Sequence, residues 1–141
     1  MKINILYALV FIFFGLASFS TNSESPSQDF DLKASMKRGE MLYRAQCLSC
    51  HKATGQGIPS VYPPLDNSKN LKNKGYIVNV IKNGISTTTV VKGVTYTKPM
   101  DGIDLTDKEI SDVVNYMSNS WGNSYGVTMP AEVKQLLKSA N

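Results

Sequence analysis

The stretch AQCLSCHKATGQG holds both cysteines of the chain, Cys47 and Cys50, and its single histidine, His51. A Cys-x-x-Cys-His run suits four chemistries: a disulfide, a redox dithiol, part of a zinc site, or covalent attachment of haem. Zinc needs about four protein ligands when structural and about three when catalytic. Three candidates within five consecutive residues make poor tetrahedral geometry. A thioredoxin-like dithiol sits in an α/β pattern, but here a helical pattern precedes the motif and a loop-like stretch follows it. A disulfide would close a very short loop and leave His51 unexplained. Haem uses all three residues. Two thiols add across the two porphyrin vinyl groups, and the next residue is held under the iron, so His51 is the expected proximal ligand.

The second axial position has no other histidine to fill it. Methionine opposite histidine is the usual pairing in electron-transfer haem proteins and raises the reduction potential. Of the six methionines, Met1 belongs to the amino-terminal segment, Met36 and Met41 precede the motif on its own helix, and Met117 falls on an apolar stripe. Met100 and Met129 remain. Met100 follows Pro99 in a loop, and a loop can aim a thioether where a packed helix does so with difficulty. Met100 is therefore the expected ligand, with Met129, just before Pro130, as its rival.

The elements that must position these residues are mostly helical. Met36, Gly39, Leu42, Tyr43 and Cys47 recur at spacings of three and four, which predicts a helix from Ser35 into the motif. Gly39 inside it points to another backbone close by. Residues 52–70 read as an irregular loop, 74–82 as a short helix with Ile77, Val80 and Ile81 on one side, and 86–98 as a small hairpin. Thr106 and Glu109 have the spacing of a capping box. Behind them Ile110, Val113, Val114, Met117 and Trp121 form one apolar stripe closed by Gly122. A last helix starts at Pro130 and offers Val133, Leu136, Leu137 and Ala140 for burial. The fold class is mainly α, with long loops and a small hairpin.

Residues 1–20, MKINILYALVFIFFGLASFS, run from a basic end through an apolar middle to small residues. That order predicts a signal peptide, with an uncleaved anchor as the alternative. Residues 21–34 read as a flexible linker and 35–141 as the folded domain, exported to the periplasm or the outer face of the cytoplasmic membrane. Membrane contact is expected only through an uncleaved anchor. The net charge of +4 is mild and scattered, which argues against a nucleic-acid partner.

From Gly39-x-x-x-Tyr43-x-x-x-Cys47-x-x-Cys50-His51 the pattern continues with Gly55-x-Gly57-x-Pro59, Tyr62-Pro63-Pro64-Leu65, Leu105-Thr106-Asp107-x-Glu109-Ile110, Tyr116 and Asn119-Ser120-Trp121-Gly122-Asn123. Over residues 35–141 this resembles the small monohaem class I c-type cytochromes, and the last stretch, ending in Pro130-Ala131-Glu132-Val133, is most similar to the modules attached to copper nitrite reductases and haem–copper oxidases. The resemblance implies a cytochrome c-like helical domain around one covalent haem c, in which Gly39 meets the capped helix near Tyr116. It also implies that Pro59 sits beside His51, where its carbonyl accepts the imidazole N–H. Relatives commonly carry Met-Pro at the distal ligand, whereas this chain has Pro99-Met100-Asp101. The expected function is one-electron transfer without bond chemistry by any protein residue. Its donor would be a quinol-oxidising complex and its acceptor an oxidase or nitrite reductase. An open distal site acting as a haem enzyme or gas binder, and a non-catalytic subunit anchored in a larger complex, are the alternatives.

Overall fold

The computed structural model describes residues 30–140. The expected signal or anchor at 1–20 lies outside them, as does the linker up to residue 29. Helix α1 spans Leu32–Gln46 and begins three residues before the expected Ser35, so the linker ends sooner than predicted. The reason is Asp31, whose carboxylate accepts the Ala34 N–H at 2.9 Å and caps the first turn. One turn, α2 (Leu48–His51), follows directly and carries the motif.

Beyond the loop and a 3-10 turn at Lys69–Lys72 comes α3, Lys74–Asn83, capped by the Asn73 side chain. Strand β1 (Gly84–Ile85) leaves it. Strands β2 (Thr89–Val91) and β3 (Val94–Tyr96) form the expected hairpin. Its two-residue turn, Lys92-Gly93, has positive φ at both positions, the requirement of a tight turn matched to strand twist. Strand β4, Met100–Asp101, then pairs antiparallel with β1 and sets Met100 opposite Ile85. Met100 therefore sits on a short strand rather than in a free loop.

Helix α4 (Asp107–Ser118) carries the predicted capping box, with Thr106 and Glu109 each bonding the other's backbone N–H. Ile110, Val113, Val114 and Met117 are all buried. Trp121 is not on this helix, contrary to the expected stripe. The Asn119 side chain takes the Asn115 carbonyl at 2.9 Å, the helix stops, and Trp121 follows in a positive-φ turn. Helix α5 (Pro130–Ser139) starts where expected and buries Val133, while Ala140 lies past its end and is exposed.

Helices α1 and α4 cross at Gly39. A Cβ there would collide with the Asp112 carbonyl and press on the Tyr116 Cβ, so only glycine allows this approach. Around the crossing, buried Asp112 accepts from Ser35 (2.6 Å), from Arg38 through two N–H groups (both 2.7 Å) and from Lys108 (2.9 Å). Asn115 adds bonds to Ser35 and to the Thr128 carbonyl, both at 3.0 Å. The apolar core extends from this crossing to Leu71, Ile77, Val78, Ile81 and Leu105.

Candidate haem site

The motif is placed by α1. Tyr43, one turn before Cys47, is buried, and its hydroxyl donates to the Lys52 carbonyl at 2.7 Å, tying the helix to the chain just past His51. Its ring packs on Tyr116 and Trp121, with centroids 5.5 and 4.9 Å away. Trp121 covers Gly55, where any side chain would meet the indole. Tyr43, Tyr116 and Gly39 thus hold the motif in place without entering its chemistry.

Between this frame and α3 lies a cavity of about 420 Å³, within the range of small-molecule and cofactor sites. Cys47, Cys50 and His51 line it, as do Leu42, Ile77, Ile81, Leu105 and Val113, so its walls are largely apolar. The two cysteines are not joined to each other, and both are half-buried. Burial, with the neighbouring Cys50 adding, pushes the Cys47 thiol up to about 11.

His51 Nδ1 lies 2.9 Å from the Pro63 carbonyl. A carbonyl only accepts, so Nδ1 bears the proton and Nε2 keeps its lone pair. Burial lowers the His51 pKa, opposed by the bond to Pro63, and so favours that neutral, ligand-ready imidazole. The partner is Pro63, not Pro59 as expected. Ile58 and Tyr62 exchange backbone bonds of 2.9 and 2.8 Å, which turns 59–61 outward as an exposed tip and brings Pro63 back to His51. The Tyr-Pro-Pro-Leu run was visible in the sequence, but nothing in its spacing said which proline would face the imidazole.

Met100 lines the same cavity. Met129 does not: it is 41 % exposed at the start of α5, where its N–H faces Glu132. Met117 also reaches the cavity, from the buried side of α4, and belongs to the apolar core. Sequence reasoning missed Asn123. It is buried, accepts from the Ser68 N–H at 3.0 Å, and donates to the carbonyls of Leu65 (2.8 Å) and Met117 (2.9 Å). It therefore pins the loop after Pro63 to the end of α4. The Asn-Ser-Trp-Gly-Asn run held it in view without marking its role.

The fit to haem rests on these features together. The cavity is apolar, two neighbouring cysteines stand on its wall, and its nitrogen and thioether sulfur donors are those that haem iron takes. Among the described residues no cluster of His, Cys, Asp and Glu suits any other metal.

The chain is similar in sequence to several known cytochromes. The family model for subunit III of cbb3-type cytochrome c oxidase matches residues 34–117. Cytochrome c-552 of Thermus thermophilus is 36 % identical over 92 residues, which is 61 % of this chain and 70 % of that protein. Cytochrome c6 of Gracilaria tenuistipitata var. liui is 29 % identical over 117 residues, 83 % of this chain and 98 % of that protein. The cytochrome c subunit of a quinone alcohol dehydrogenase from Gluconobacter oxydans is 30 % identical over 104 residues, 72 % of this chain but 22 % of that subunit.

Proposed function

The chain belongs to the c-type cytochromes, as a monohaem class I member carrying haem c, and from that premise we propose that Cys47 and Cys50 attach the haem while His51 and Met100 bind its iron. Bound there, haem supplies a one-electron ferric–ferrous couple. The protein's residues do the rest. Cys47 and Cys50 anchor the ring to α1 and α2, and the Pro63 carbonyl fixes the His51 tautomer and ring orientation. Ile77, Ile81 and Val113 line the cavity with apolar surface, and an apolar site favours the less charged state of the metal.

The observation that carries this reading is that Cys47, Cys50, His51 and Met100 line a single apolar cavity from which Met129 is absent. In the exported protein the donor is a quinol-oxidising complex and the acceptor a terminal oxidase or nitrite reductase. The test is an optical and redox titration. Met100→Ala is expected to lower the midpoint potential and abolish the methionine-to-iron charge-transfer band, whereas Met129→Ala leaves both unchanged. Loss of the band in Met129→Ala instead would reassign the ligand.

A second reading is a haem subunit of a larger oxidoreductase. It is favoured by relatives named as cytochrome c subunits of quinone alcohol dehydrogenase and gluconate 2-dehydrogenase, of which this chain spans 22 %. No described helix is long and apolar enough to cross a membrane, and residues 1–20 are the anchor proposed for such a complex. An intact Lys2-containing peptide recovered from the membrane fraction supports it; a mature protein starting after residue 17 or 20 in the soluble fraction removes it.

A further inference from the structure

One polar contact spans the mouth of the haem cavity, and the electron-carrier reading leaves it unused. Lys98 Nζ donates to the Tyr62 hydroxyl at 2.6 Å and also lies 4.5 Å from the centroid of the Tyr62 ring. The two residues are 36 positions apart and both line the cavity. Their places in the chain give the contact its meaning. Tyr62 directly precedes Pro63, whose carbonyl holds His51. Lys98 is separated from Met100 only by Pro99. A proline at each junction restricts the backbone, so a tether at Tyr62 and Lys98 acts on Pro63 and Met100 without a flexible residue between.

We propose that Lys98 and Tyr62 form a latch that ties the proximal loop to the distal strand and keeps Met100 closed over the iron. This rests on the assignment of Met100 as the distal ligand. Met100 is otherwise held by the two-residue pairing of β4 with β1 and, three residues on, by the Ile103 N–H donating to the Ile81 carbonyl at 2.8 Å. So short a ladder is weak alone, and segments with few buried contacts open at low free-energy cost. The latch adds a cation–hydroxyl bond and a cation–π contact on the opposite side of that strand's lead-in. Lys98 and Tyr62 are thereby positioning residues: they touch neither the iron nor a substrate, and set how often the distal position opens.

The test uses the complete ferric haem protein and imidazole as an external ligand, whose apparent affinity scales with the open fraction. Lys98→Ala is expected to tighten imidazole binding by about fivefold and weaken the methionine-to-iron band, with thermal unfolding little changed. Tyr62→Phe, which keeps the ring and loses the hydroxyl, gives a smaller gain in the wild-type background and none on top of Lys98→Ala. Lys98→Arg restores the wild-type value. Met100→Ala, measured alongside, binds imidazole much more tightly whatever occupies position 98. Unchanged imidazole affinity in Lys98→Ala, or additive effects of the two substitutions, overturns the latch. Equal affinity in wild type and Met100→Ala overturns the ligand assignment beneath it.

Discussion

The α1–α4 crossing and the haem cavity lie side by side and are built on opposite terms. At the crossing the buried polar side chains find partners in the chain itself: Asp112 is met by Ser35, Arg38 and Lys108, and Asn115 by Ser35 and Thr128. Glycine lets the two backbones touch. In the cavity the apolar side chains of Ile77, Ile81, Leu105 and Val113 face a space that they do not fill. One region is completed by protein alone; the other, on the proposed assignment, is completed by the haem. A domain this small buries a modest core, so the haem stands in for side chains the chain does not provide.

The sharpest way to break this contrast is to remove the attachment. Cys47→Ala with Cys50→Ala is expected to abolish covalent haem, read as loss of haem stain on a denaturing gel, while helix content at the crossing persists by circular dichroism. A stained band in the double variant would remove the attachment assignment. Next in size is Gly39→Ala. The added methyl meets the Asp112 carbonyl, and such overpacking costs about 1–3 kcal/mol, offset in part by ~1 kcal/mol of helix propensity. A lower melting temperature is expected; an unchanged or higher one would mean the helices separate freely.

A last test sharpens the comparison through pH. Burial disfavours the Asp112 charge, yet hydrogen bonds from Arg38, Ser35 and Lys108 outweigh it and hold the carboxyl below the usual range. A depressed carboxylate contributes stability that is present above its unfolded pKa and lost as pH falls through the folded value. Asp112→Asn is therefore expected to cost about 1–2 kcal/mol at neutral pH. The gap to wild type closes below about pH 4, where unfolded Asp protonates. Urea titrations at pH 7 and pH 3 check it, and a gap independent of pH would mean the charge is not what joins the helices.

Much of this arrangement was legible beforehand. The helix ending in the motif, the hairpin, the Thr106 capping box and the Pro130 start rest on local rules of spacing and capping, and each formed, the first of them three residues earlier than expected. The misreadings come from pairings that periodicity does not show. Trp121 continued the α4 stripe by periodicity, but Asn119 ended the helix first. Pro59 gave way to Pro63 because Ile58 and Tyr62 pair with each other and reverse the loop. Met100 read as a loop residue because its pairing partner, Ile85, lies 15 positions away in sequence.

By itself the sequence determined the chemistry: two thiols and an imidazole at one spacing, with no second histidine, admit covalent haem and little else. That inference is local, since bond-forming residues within five positions meet through any backbone. Which proline carbonyl orients His51, which methionine shares its cavity, and which lysine crosses its mouth were decided only in the tertiary structure. Those choices depend on loops brought together over tens of residues, where closure and packing, not spacing, select the partner.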